Sequence, residues 1–97
     1  MAGPIYKLWM VRATEAGQQL SEEEFQTLAA KVDEAMRQVG AKRILGCNSG
    51  WADESVQWWG VDEYPDIEAE QKYYQLLTEM NWFRFVESRT LLGTKWD

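Results

Sequence analysis

An α+β fold with the element order βαββαβ, a four-stranded antiparallel sheet carrying two helices on one face, is predicted by three observations. A capped segment with apolar residues at helical spacing follows the first strand-like run, and a second helical pattern separates the third run from the fourth. The two runs that this order places at the sheet centre are apolar on both parities.

The first strand is expected over residues 4–12 (PIYKLWMVR), where aromatic and β-branched types dominate. A polar stretch, ATEAGQQL, leads to Ser21-Glu22-Glu23-Glu24, which fits a capping box with Ser21 as N-cap and Glu24 at the third helical position. Behind it Phe25, Leu28, Ala29, Val32, Met36 and Val39 mark the buried face of a helix over 21–39, and Gly40 stands at the C-cap. The second strand is placed at about 42–51. Ala52-Asp53-Glu54 reads as a short hairpin turn into a third strand at about 55–63. Pro65 suits the first turn of a second helix, which carries Ile67, Tyr73, Tyr74, Leu77 and Met80 over about 66–81. The run WFRFVESRTLLG, residues 82–93, reads as the fourth strand. This order is the split βαβ, ferredoxin-like arrangement, and residues 1–97 form one domain of that kind.

In that topology strands one and three are central. Strand one sets Ile5, Trp9 and Val11 on one side and Tyr6, Leu8 and Met10 on the other. Strand three divides Val56 and Trp58 from Trp59 and Val61. Two helices cover one face, so the other presents an apolar patch of the kind that marks an interface. A chain of 97 residues buries only roughly 60–65% of its unfolded surface, and a partner sheet would extend its core. Homodimerisation through the sheet face is the expectation, with either Trp58 or Trp59 toward the partner.

Composition narrows the function. Hydrophobic content of 45% and aromatic content of 13% exclude disorder. The chain is acidic, with a net charge of −6 and a pI near 4.6, which argues against nucleic acid and against an anionic membrane surface. No apolar run approaches a membrane span. The N-terminus lacks the basic, apolar and small-residue segments of a secretory signal, so the expected location is cytoplasmic. The single Cys47 allows no internal disulfide.

Taken together, the strand-three pattern VQWWGVDEYPDIEAEQ, the helix after it and the following NWFRFVES resemble the dimeric α/β-barrel superfamily, in which two ferredoxin-like subunits pack sheet to sheet. The resemblance covers essentially the whole chain and is nearest to a family of small stand-alone members with no catalytic motif to transfer. The superfamily includes cofactor-free monooxygenases, lactone isomerases, haem-degrading enzymes and dye peroxidases, so it implies a fold more than an activity.

Histidine is absent, which removes the commonest general base, metal ligand and haem ligand. No cofactor and no metal are expected. Cys47 in LGCNSGW misses the nucleophile-elbow pattern, because Asn48 holds the central place, and reads as a small strand residue. The acidic groups Glu22–Glu24 and Asp62-Glu63 with Asp66, Glu68 and Glu70 lack EF-hand spacing and read as solvated helix starts. The resemblance implies a cavity between sheet and helices. Trp9, Trp51, Trp58, Tyr74 and Trp82 are candidates to line it, with Arg12, Asn48 or Arg84 supplying polar contacts to a small hydrophobic or aromatic ligand. The plainer reading is that these rings fill the core. Two functions follow: a homodimer that binds or transforms such a molecule, or a self-assembling structural protein joined through Trp96 beyond the last strand.

Overall fold

The computed structural model describes residues 3–52 and 55–96. Its elements are β1 (Ile5–Ala13), α1 (Glu15–Gln18), α2 (Glu22–Val39), β2 (Lys42–Asn48), β3 (Trp58–Tyr64), α3 (Ile67–Glu79), α4 (Trp82–Phe85) and β4 (Val86–Gly93). The strands form one antiparallel sheet in the order β2-β3-β1-β4, with β1 and β3 central as the sequence predicts.

Local chemistry accounts for the helices. Ser21 accepts from the Glu24 amide, the Glu24 carboxylate accepts from the Ser21 amide, and both halves of the capping box form. Gly40 closes α2 at φ 74°, a left-handed conformation that costs glycine little. Asp66 caps α3 by accepting from the Ala69 amide at 2.8 Å. The inward stripes of the two long helices, Val32, Ala35 and Met36 on α2 and Tyr73 and Leu77 on α3, meet Tyr64 of β3 in the main core.

Three element boundaries differ from the sequence reading, each through side-chain competition for the backbone. The polar stretch after β1 contains the one-turn helix α1, capped by Thr14, whose hydroxyl oxygen accepts from the Gly17 amide. Residues 82–85 form the turn α4 and not the start of the fourth strand. Asn81 takes a left-handed conformation (φ 61°), and Thr14 takes the carbonyls of Phe85 and Arg84 through its amide and hydroxyl. The ladder with β1 therefore begins at Val86, paired with Ala13. The β2–β3 connection is also longer than a tight hairpin. Ser49 and Gly50 both donate to the Gln57 carbonyl, and the Ser49 hydroxyl donates to Val56. Of the expected turn, Ala52 lies in this connection, whereas Asp53 and Glu54 fall outside the described residues.

Strand parity decides the two tryptophans. Trp58 pairs with Val11 on the helix side and stacks on Phe25 of α2, with ring centroids 6.1 Å apart. Trp59 pairs with Met10 and Cys47 on the opposite face. Tyr6, Leu8, Val61, Leu45 and Leu91 share that outer face by register.

Ser21→Ala removes one side of the capping box. The unfolding free energy should fall by about 1 kcal/mol, read as a lower urea midpoint at unchanged denaturant slope.

Candidate functional site

Between the helices and the sheet, bordered by the core residues Val32, Tyr73 and Leu77, lies a cavity of about 430 Å³. Its floor is the inner face of the sheet, where Trp9 and Val11 of β1 and Trp58 of β3 lie beside Gly46 of β2. Gly60 makes that floor possible. A Cβ there would meet the Trp9 indole at 2.5 Å and also strike the Leu45 carbonyl, so only glycine lets the Trp9 ring lie across the central ladder. The helices contribute Phe25, Ala29 and Val32 from α2 and Tyr73, Tyr74 and Leu77 from α3, and Trp82, Phe83 and Val86 close one end. A second cavity of about 250 Å³ beside α1 shares Phe25, Trp58, Trp82 and Val86 with the first, so these four side chains form a partition.

The other end is polar. Along the inner face, Arg43 of β2, Asp62 of β3 and Lys7 of β1 occupy adjacent strands, and Glu70 of α3 faces them. Arg43 Nε donates to Asp62 Oδ1 at 3.0 Å, and Lys7 Nζ donates to Glu70 Oε2 at 3.1 Å. Asp62 is 1% exposed, Lys7 5% and Glu70 8%. Lys7 Nζ also lies 5.1 Å from the Tyr73 ring centroid and 5.5 Å from that of Tyr64, while the Arg43 guanidinium lies 5.0 Å from the Trp9 centroid. Burial alone would lower the Arg43 pKa, but the hydrogen bond and charge of Asp62 outweigh it and leave the guanidinium raised. Burial, helped by the neighbouring negative charges, pushes the Tyr64 and Tyr73 phenols far above their ordinary range. Among the described residues, the Trp9 indole N–H and the Tyr64 hydroxyl are buried without a hydrogen-bond partner.

Five of the sequence candidates line this cavity: Trp9, Asn48, Trp58, Tyr74 and Trp82. The other three lie elsewhere. Arg12 is on the outer face, paired with Glu87 at 2.7 Å. Trp51 is 86% exposed in the β2–β3 connection, its indole N–H donating to the Asn48 carbonyl. Arg84 sits on α4 with its guanidinium over the Phe85 ring. Asp62 and Glu70, expected to be solvated, are instead buried and ion-paired in the cavity wall. Their parity carried the signal: Asp62 shares a strand face with Trp58, Gly60 and Tyr64, and Glu70 leads Tyr73 and Leu77 at helical spacing. Lys7 likewise alternates in phase with Ile5, Trp9 and Val11.

Chemically, the arrangement is an aromatic chamber with an internally neutralised ionic end. Among the described residues no group of three or more His, Cys, Asp or Glu side chains is placed to hold a metal ion. The sequence offers a haem iron no histidine, and burial opposes the phenolate form through which Tyr73 would bind it.

The chain has a ferredoxin-like α+β fold, which it shares with several solved structures. A protein of unknown function from Rhodopseudomonas palustris superposes with a TM-score of 0.71 at 18% identity, over 100% of this chain and 85% of that one. A heme-binding protein from Thermus thermophilus gives a TM-score of 0.73 at 18% identity, over 99% of this chain but 41% of that chain. SnoaB, a cofactor-independent oxygenase from Streptomyces nogalater, gives 0.54 at 12% identity, over 97% and 92%. No family model matches the sequence, and no curated protein matches it.

The buried tyrosines predict an alkaline limit to stability. Unfolded tyrosines release protons near pH 10, whereas folded Tyr64 and Tyr73 hold theirs to much higher pH. The folded state then binds more protons, and stability falls as pH rises above about 10, by about 1.4 kcal/mol per pH unit for each tyrosine. Urea midpoints measured across that range should decline, and Tyr73→Phe should make the decline shallower.

Proposed function

We propose that the protein is a homodimer that binds or transforms a small hydrophobic or aromatic molecule, without a cofactor, in the cavity between sheet and helices. The observation that carries this reading is the cavity itself. About 430 Å³ is within the range of ligand sites, and apolar rings with a few fixed polar groups are their usual lining. The unpartnered Trp9 N–H supports it too, since a buried donor left unmade costs about 1–3 kcal/mol and a ligand acceptor would recover part of that. Proteins of the same fold include a heme-binding protein and a cofactor-independent oxygenase, which is consistent with small-molecule binding. The dimer reading rests on the outer sheet face, where Trp59, Met10, Leu8 and Val61 form a half-buried apolar surface opposite the helices.

Nile red, a neutral dye whose emission rises in apolar surroundings, tests the cavity. It should brighten on titration with the protein, and Trp58→Ala, which removes the ring stacked on Phe25, should weaken binding roughly tenfold. No brightening with folded protein would end this reading. The dimer is tested by sedimentation: wild-type protein should run as a dimer at micromolar concentration, and Trp59→Asp as a monomer, because an unpaired charge at such an interface costs several kcal/mol.

A second reading, a self-assembling structural protein, is favoured by one observation. Trp96 is 96% exposed beyond β4 and does not fold back on its own chain. A large ring so placed can anchor in a neighbouring dimer and propagate the contact. Light scattering should then show particles larger than a dimer that Trp96→Ala returns to dimers; wild-type protein that stays dimeric at high concentration would exclude it.

A further inference from the structure

Resting on the cavity-binding reading above, we infer that the cavity takes a planar aromatic molecule whose polar group is a neutral hydrogen-bond donor, a phenol, and rejects the same ring carrying a carboxylate. The inference comes from the state of the two cations at its polar end. Lys7 is held by Glu70 at 3.1 Å and flanked by the Tyr64 and Tyr73 rings. Arg43 is held by Asp62 at 3.0 Å, with its Nη2 on the Met36 sulfur at 3.1 Å and its plane over Trp9. Each cation already has a carboxylate partner. Asp33 of α2 also lines the cavity, so three carboxylates stand there against two cations.

An arriving carboxylate must therefore break a buried ion pair or sit beside uncompensated negative charge, and like charges in a desolvated site repel strongly. A phenol meets neither obstacle. It stays protonated at neutral pH, as tyrosine does. Each ion pair uses one carboxylate oxygen, Asp62 Oδ1 and Glu70 Oε2, and leaves each carboxylate further lone pairs with which to accept. A phenol hydroxyl donating to one of these oxygens makes a charge-assisted hydrogen bond while both pairs stay intact. The ring then lies among Trp58, Leu77 and Trp82, which supply the apolar contact.

Isothermal titration calorimetry of the full chain with naphthol and with naphthoate, one ring system bearing a hydroxyl or a carboxylate at the same position, tests this. Naphthol should bind at least about tenfold more tightly. Glu70→Gln, which releases Lys7 from its carboxylate, should narrow or reverse that preference. Asp33→Asn, an exposed helix position outside both ion pairs, should narrow it too and serves if Glu70→Gln does not fold. Equal or tighter binding of naphthoate by the wild type overturns the inference, as does a preference unmoved in every variant that folds. If Nile red binds and naphthol does not, this inference fails while the cavity reading stands. If no probe binds, both fail.

Discussion

The contact between Lys7 and Glu70 is the one on which the sandwich depends. It ties the central strand β1 to α3 through two buried charged groups in a small chain. Separating such a pair strands a charge in a low-dielectric interior, at a cost of about 3–5 kcal/mol, so α3 is held in position as well as attracted. Arg43 and Asp62 repeat the device between β2 and β3. Together the pairs run across three strands and onto one helix, and the space beside them is kept open by polar groups that have partners to hold them there. An apolar end alone would favour collapse of the helices onto the sheet.

The second constraint is geometric. A strand alternates its side chains, and a sheet with helices on one side only leaves its other side bare. The adjacent pair Trp58-Trp59 puts one indole to each use: the first becomes part of the chamber wall, and the second becomes part of the outer face. Chamber and face are thus two sides of the same two strands, and a change of register in β1 or β3 would exchange their linings wholesale.

What was legible in the sequence divides along the same lines. The α2 cap could be read because capping is a contact between residues three apart, and the order of elements followed from periodicity and punctuation. The separation of Trp58 from Trp59 also followed, though not which of them meets the helices, since both parities are apolar. Asp62 and Glu70 escaped. Both lie among acidic residues at a strand-to-helix junction, where local chemistry reads as solvation, and their partners Arg43 and Lys7 are 19 and 63 positions away. Only the sheet order brings those charges together. Arg12 and Arg84 misled for the complementary reason, since a polar residue near aromatic ones in sequence need not share their face. The turn at 82–85 was hidden because Thr14, 70 positions from Arg84, claims its carbonyls.

The irregularity in β2 between Arg43 and Leu45 has its own consequence. Its register shift inserts Ile44 without a partner and resets the alternation, so that Arg43 serves the chamber while Leu45 and Cys47 serve the outer face. It also falls on an open edge of the sheet, next to Lys42 and Arg43. A kinked edge bearing positive charge is a poor template for an additional strand. The backbone of this edge resists the ribbon-like growth that unprotected sheets invite.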